Sequence, residues 1–270
     1  MSCSQVADIL QRALTVCKQA AYIQVVTRRP PILMARPLYE WINRVAQKHK
    51  HFLALDLDSD ARKMIQHRIE SDFVLSALRL EGADVNESEI ARAISESIEP
   101  SGSSESERAI AEQLASLRAI RSLAQQNDML TPESLLRMRC AQEFRASEGA
   151  TDRAIRPEHL IASIESACFW FSAESFLELN PVEQAAIALL RLVELQPFDD
   201  RNHSTALAAA SLFLLRSHLP PVIIREDHVS PYHAAILESR RSDTRPMVEL
   251  IAEATERTLA EMIALVSARG

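Results

Sequence analysis

Glycine is the residue that this chain lacks most visibly, with only four copies among 270 residues. Tight β-hairpins and phosphate-wrapping loops favour glycine because it adopts positive φ without a steric penalty. Its scarcity therefore argues against a hairpin-rich fold and against a glycine-rich nucleotide loop. Helix-forming residues dominate the sequence instead, and we predict an all-α protein.

Cysteine is equally sparse and widely scattered. Cys3, Cys17, Cys140 and Cys168 include no C-x-x-C pair, so we expect neither a disulfide framework nor a zinc site. No apolar run is long enough to span a bilayer, and the first residues lack the basic and apolar regions of a secretory signal. These absences predict a cytoplasmic protein with no membrane partner.

Basic residues are fewer than acidic residues. The chain has 30 Lys and Arg against 37 Asp and Glu, which gives a net charge of −7 at pH 7. Proteins that coat nucleic acid need clustered positive charge to neutralise phosphates, so we expect no nucleic-acid partner. Hydrophobic residues make up 47% of the chain, which is enough for a substantial buried core.

Several helix starts are marked by capping residues. The stretch 180–183, Asn-Pro-Val-Glu, combines a capping asparagine, a first-turn proline and a glutamate at the third helical position. Asn86 with Glu89, and Ser104 with Glu107, have the same capping-box spacing. These signals fix the expected starts of three helices.

The remaining boundaries follow from apolar periodicity, prolines and polar loops. We predict helices near 5–20, 37–49, 59–80, 87–97, 105–126, 132–145, 157–172, 181–195, 203–217, 231–241 and 246–268. Extended segments are expected at 30–37 and 220–226, both bounded by proline, and the Ser-rich stretch 97–107 is expected to be a linker or surface loop.

The most unusual stretch is 196–204, which reads QPFDDRNHS. It separates two predicted helices that are apolar on nearly every face, and such helices belong in a protein's centre. The start of a helix offers unpaired N–H groups and a dipole that favours anions. Asn202, His203 or Ser204 could therefore simply cap the second helix, or the stretch could form a polar site.

This stretch resembles the H-P-F-x-D/E-G-N-G-R-x-x-R motif of the Fic (Fido-fold) proteins. Most of these proteins transfer AMP from ATP to a hydroxyl group of a target. The segments 75–90, 130–138, 180–195 and 219–243 also resemble family segments, in the same order. The resemblance implies a helical bundle with a buried motif helix, Mg²⁺ and ATP as cofactor and substrate, and a protein as target.

The resemblance covers roughly residues 70–255. It implies a Fic-like domain at 71–258, an N-terminal helical extension at 1–70 and the end of a C-terminal helix at 259–270. It also implies a flap that aligns the target, near 147–156.

The first position of the motif differs from the family. The family has a histidine there, which accepts the proton of the incoming hydroxyl, whereas this chain has Gln196. An amide has no usable proton-accepting titration, and a positioned base contributes roughly 10²–10⁴ in rate. Pro197 and Phe198 match the motif, and we expect Phe198 to be a core anchor.

The phosphate-binding positions are altered as well. By resemblance, Asp200 holds Mg²⁺ against the phosphates and Asn202 belongs to the anion-binding turn. Arg201 and His203 replace the motif's two glycines, so we expect them to restrict positive φ and close approach to a phosphate. Ser204 replaces the first motif arginine, and losing one preorganised donor can cost about 3–4 kcal/mol.

An upstream segment matches the family in part. Glu81 and Gly82 resemble the end of a stretch that, in the family, sets a glutamate against the second motif arginine and blocks productive ATP binding. That arginine position is Leu207 here. We therefore expect Glu81 to be a helix-end residue, bonded to Arg201 for example, rather than a working inhibitor.

Three functions remain open. The first is a degenerate adenylyltransferase-like protein, inactive or very weak, that retains nucleotide or partner binding. The second is an active nucleotide- or phosphate-transferring enzyme with a rearranged site built from Asp200, Asn202, Arg201 and His203, in which His203 is a displaced base. The third is a non-enzymatic interaction scaffold, for example a homodimer formed through the aromatic cluster at 169–176 or the N-terminal helices.

Overall fold

The computed structural model describes residues 36–83, 85–95, 104–126, 128–141, 157–198 and 200–268. All regular secondary structure within these ranges is helical, which confirms the predicted class. The helices are α1 (Arg36–Leu53), α2 (Ser59–Leu80), α3 (Glu87–Ser95), α4 (Glu105–Gln126), α5 (Pro132–Ala141), α6 (Pro157–Phe171), α7 (Glu174–Leu177), α8 (Pro181–Leu195), α9 (Asn202–Arg216), α10 (Glu226–Ser239) and α11 (Arg245–Ser267).

The predicted capping boxes form as expected. Asn180 accepts a hydrogen bond from the Val182 N–H at 3.0 Å, and the Glu183 carboxylate accepts the Asn180 N–H at 3.0 Å. At the start of α4, the side chains of Ser104 and Glu107 each accept the other's backbone N–H, and those of Asn86 and Glu89 do the same before α3. The starts of these three helices are therefore set by residues within one turn of sequence.

Helix α9 lies at the centre of the bundle. It packs against α8, α4, α2 and α5, and every residue from Ser204 to Leu214 is buried. Small residues at 206 and 208–210 let the neighbouring helices approach closely. The prediction that the two helices around the 196–204 stretch are central is confirmed.

The start of α10 is an error of the sequence analysis. We predicted a start at Pro231, because proline favours the first turn of a helix, but the helix begins at Glu226. Arg225 before it is extended, and the acidic residues Glu226 and Asp227 in the first turn suit the helix dipole. Pro231 is the sixth residue of the helix, so it costs one hydrogen bond without ending the helix.

Other differences from the predicted boundaries are small. The extended segment predicted at 30–37 is helical at Arg36 and Pro37, while residues 30–35 lie outside the described residues. Residues 219–225 have no regular secondary structure, as expected for an extended segment, and the short helix α7 was not predicted. The predicted helix at 5–20 and the predicted flap at 147–156 lie outside the described residues.

The described residues from 36 onward form one compact unit. This unit includes α1, which the sequence analysis assigned to an N-terminal extension and which packs against α11. The predicted domain boundary at residue 70 stays a prediction. Among the described residues, no helix has both the length and the apolar character needed to cross a membrane.

Candidate functional site

The turn between α8 and α9 begins at Gln196. This residue ends α8 in the left-handed region, with φ 42° and ψ 60°, and its N–H donates to the Leu192 carbonyl at 3.1 Å. Its side chain is exposed. Pro197 and Phe198 are buried behind it, and Phe198 is the anchor that the sequence predicted.

Asn202 closes this turn on itself. Its Oδ1 accepts the Phe198 N–H at 3.0 Å, and its Nδ2 donates to the Phe198 carbonyl at 2.7 Å. Two hydrogen bonds from one amide fix the spacing between the turn and the first residue of α9. The amide therefore fixes the backbone of the turn, and its own polar atoms point into the turn.

Arg201 precedes α9 in the left-handed region, with φ 54° and ψ 29°. We expected a side chain at this glycine position to restrict positive φ, and that expectation is wrong for Arg201. Its guanidinium forms an ion pair with Glu112 on α4, whose side chain is buried. The charge-assisted bond offsets the cost of the left-handed backbone, which is about 1–2 kcal/mol for a residue with a side chain.

Ser204 supplies the backbone donor that an anion would use at the start of α9. Its N–H donates to Glu81 Oε1 at 2.7 Å, across 123 positions of sequence. The Ser204 hydroxyl donates to the Arg201 carbonyl at 3.2 Å and so also points into the turn. The carboxylate of Glu81 therefore lies where the helix dipole and the unpaired N–H groups favour negative charge.

Glu81 lies at the helix end where it was predicted, at the C-terminus of α2. Gly82 follows with φ 75°, and the N–H groups of Gly82 and Ala83 bond to the Arg79 and Leu78 carbonyls. Glu81 has a partner at the motif, since its carboxylate accepts the backbone N–H of Ser204 in the absence of the family's second arginine. A residue-by-residue comparison of a motif does not detect hydrogen bonds that are donated by the backbone.

His203 faces α10. Its Nδ1 lies 2.8 Å from the hydroxyl of Tyr232, which is fully buried, and its ring lies 6.0 Å from the ring of His233. Burial lowers the pKa of the imidazole, against an opposing effect of the Glu81 carboxylate, and nearby His233 lowers the pKa further. His203 is therefore held neutral and oriented by one ring nitrogen.

Known protein families share this part of the sequence. Residues 108–214 match the sequence model of the Fic/DOC family, a span that runs from α4 to the end of the central helix. This region of the chain is similar to the Fic/DOC family. The 196–207 stretch lies within it, and its departures from the Fic motif lie at the site described above.

Named relatives agree with this assignment. The protein adenylyltransferase fic-1 of Caenorhabditis elegans is 33% identical over 109 residues, which are 40% of this chain and 22% of that protein. The protein adenylyltransferase Fic of Culex quinquefasciatus is 33% identical over 149 residues, 51% of this chain and 30% of that protein. The aligned parts thus span less than a third of each relative.

Solved structures share the fold. The Fic-1 protein of C. elegans superposes with a TM-score of 0.71 at 24% identity, covering 85% of this chain and 74% of that one. A Fic domain containing signaling protein from Bacteroides thetaiotaomicron superposes with a TM-score of 0.72 at 17% identity, covering 84% of this chain and 98% of that one. At these identities the likeness extends to the all-α Fido fold.

Magnesium ions are used by the family, and the donor set can be tested for a fit. Asp200 is an exposed carboxylate one residue before Arg201. No group of three or more His, Cys, Asp or Glu side chains in the described part of the chain is arranged to hold a metal ion. Mg²⁺ commonly takes one or two carboxylates together with substrate phosphates and water, so Asp200 fits that role when a nucleotide brings the phosphates.

Two side chains of the site were missed by the sequence analysis. Glu112 lies between two buried residues of α4, Ala111 and Gln113, and a buried carboxylate signals a paired charge. Tyr232 lies one residue after the start that was predicted for its helix, whereas the helix begins at Glu226. With the start misplaced, the inward direction of its side chain was not recognisable. The structure brings both beside the Fic motif, together with Glu81, at the start of the central helix.

Proposed function

We propose that this Fic domain is an adenylyltransferase-like protein in which AMP transfer by the family's route is lost or very slow. Binding of a nucleotide or of a protein partner is the activity that remains. The single observation that carries the proposal is the pair of Gln196 at the position of the base and Glu81 on the Ser204 N–H. Its relatives are named protein adenylyltransferases, which supports ATP and a protein as the ligand classes.

The family's proton acceptor is missing from this motif. The amide of Gln196 cannot accept a proton from an attacking hydroxyl near neutral pH. A base in this position contributes roughly 10²–10⁴ in rate. The family's route therefore lacks its proton acceptor, whatever nucleotide is bound.

Charge is also lost at the phosphate positions. Ser204 and Leu207 carry no charge, and both are buried in α9. Arg201 is tied to Glu112 on α4. Since a single preorganised donor is worth about 3–4 kcal/mol in a transition state, the remaining backbone donors stabilise a transferred phosphate poorly.

Glu81 competes with a phosphate at the same helix start. Its carboxylate uses the Ser204 N–H, and a phosphate of ATP would need the same donor at the same helix start. Nucleotide binding then requires that Glu81 leave. We infer that affinity for Mg-ATP is weak in the native chain and that a partner able to move α2 would raise it.

A transfer assay with α-labelled ATP tests the proposal. The native chain, offered a general protein acceptor, should show labelling close to the background of the Gln196→Ala variant. Robust labelling that Gln196→Ala abolishes would overturn the proposal. Gln196→His combined with Glu81→Ala is the positive arm, because it restores a base and vacates the anion position, and it should raise labelling above the native chain.

The aromatic cluster gives limited support to the scaffold alternative. Phe171 and Phe176 are buried, and the Phe176 ring lies 5.2 Å from the ring of Phe213 in α9. These rings therefore form core rather than a docking surface. Phe169 and Leu177 are each 47% exposed, and sedimentation at several protein concentrations tests whether the predicted homodimer forms.

A further inference from the structure

We propose that His203 is the proton acceptor of the slow phosphoryl chemistry left at this motif, with Tyr232 as its positioning residue. The inference rests on the proposed function, because a displaced base is needed only where Gln196 cannot act. His203 stands at a position where the motif has a glycine, so the family's residue roles do not assign it.

The first observation is the environment of the imidazole. One ring nitrogen, Nδ1, lies 2.8 Å from the Tyr232 hydroxyl, and the side chain forms no other hydrogen bond to the described residues. In the neutral tautomer that donates from Nδ1 to the tyrosine oxygen, Nε2 carries a lone pair. Burial lowers the pKa of His203, so the imidazole is neutral at pH 7, and the proposed role requires that its proton lie on Nδ1.

The second observation is the position of the anion site. The Glu81 carboxylate bonds the N–H of Ser204, which is the next residue after His203. The same carboxylate influences the pKa values of His203 and Tyr232 through its charge. A phosphate that displaces Glu81 from the helix start would therefore lie beside the imidazole.

The reaction balances with the family's substrates. The oxygen of a hydroxyl, from water or from a target side chain, attacks the α-phosphorus of ATP and forms a new P–O bond. The bond from that phosphorus to the β-phosphate oxygen breaks, and pyrophosphate leaves with the electron pair. The proton of the attacking hydroxyl goes to Nε2 of His203 and then to solvent.

The test uses water as the acceptor, so that no target needs to be known. The full chain carrying Glu81→Ala is given Mg-ATP labelled at the α-phosphate, and release of labelled AMP is measured. His203→Asn, which keeps a hydrogen-bonding atom near the Nδ1 position, should lower the rate at least 100-fold in this background. His67→Asn on the exposed face of α2 is the matched control and should leave the rate unchanged.

Two readouts separate catalysis from structure. The ¹⁵N NMR spectrum of His203 should show the tautomer with hydrogen on Nδ1, and Tyr232→Phe should shift the ring toward a mixture of tautomers. Tyr232→Phe should also lower kcat about tenfold with little change in KM for Mg-ATP. Protonation of Nε2 in the resting protein at pH 7 would overturn the proposal without any activity measurement.

The remaining outcomes are decisive as well. The role of His203 is overturned if His203→Asn does not change the rate of AMP release, or if the Glu81→Ala protein releases no AMP. Either outcome leaves the proposed loss of the family route intact. Release that survives His203→Asn but is abolished by Gln196→Ala overturns both. The two claims therefore fail separately.

Discussion

The two central helices start in opposite ways. Helix α8 is capped by its own residues, since Asn180 and Glu183 satisfy each other's backbone within one turn. Helix α9 follows Arg201, which provides no side-chain cap, and its Ser204 N–H is satisfied by Glu81 from α2. A cap that comes from another helix can leave without unwinding the helix it caps, and the nucleotide binding that we propose requires this.

The largest expected effect comes from breaking the ion pair beside the start of α9. Glu112→Ala leaves the Arg201 guanidinium without this carboxylate, although Arg201 retains partial access to water. We expect the free energy of unfolding to fall by about 2–3 kcal/mol, a value reduced from the fully buried case because of that access. Denaturant unfolding measures this loss, provided that the unfolding free energy of both proteins depends equally steeply on denaturant concentration.

The companion variant sharpens this prediction. Arg201→Gly relieves the left-handed strain, but it leaves the buried Glu112 carboxylate without this guanidinium. The two effects oppose each other, so its cost should be similar to that of Glu112→Ala. A much smaller loss from Arg201→Gly would show that backbone strain outweighs the cost of the buried carboxylate.

The next effect concerns the distant cap. Glu81→Ala removes the carboxylate from the Ser204 N–H, and we expect a loss of about 1–2 kcal/mol in the free energy of unfolding. Glu81→Gln keeps an acceptor but no charge and should recover part of the loss. Thermal unfolding at low and high salt separates the contribution of the hydrogen bond from that of the charge, because salt screens only the charge contribution. No loss in either variant would mean that the bond to Ser204 contributes nothing to the folded state.

Asn180→Ala provides the local counterpart. It removes the cap of α8 and should cost about 1 kcal/mol. Binding of Mg-ATP should stay unchanged, because α8 starts with a completed capping box that no ligand replaces. A change in nucleotide affinity from this variant would erase the contrast between the two helix starts.

Much of the fold could be predicted from the sequence, because several helix starts that we predicted are capped by neighbouring residues and not by distant ones. The starts of α3, α4 and α8 depend on residues three apart, so local spacing predicted them. The start of α10 was placed wrongly because a proline within the second turn resembles one at a start. The contacts of Glu81, Glu112 and Tyr232 join parts of the chain that are distant in sequence, and residue spacing carries no information about them.

The smallest effect is a dependence of stability on pH. Burial lowers the pKa of His203 in the folded protein below its ordinary value of about 6.5. The unfolded chain therefore binds a proton more readily, and stability is lost as pH falls below about 6.5. His203→Asn should flatten the unfolding free energy between pH 7 and about pH 5 relative to the native chain. An unchanged slope would show that His203 titrates alike in both states.

The measurement closest to the central claim is a calorimetric titration of Mg-ATP into the native chain, Glu81→Ala and Asn180→Ala. If Glu81 fills the anion position at the start of α9, the Kd of Glu81→Ala should be at least tenfold lower than that of the native chain. Asn180→Ala should bind like the native chain. Equal affinities in the native chain and Glu81→Ala, or no binding to Glu81→Ala at millimolar nucleotide, would contradict the account.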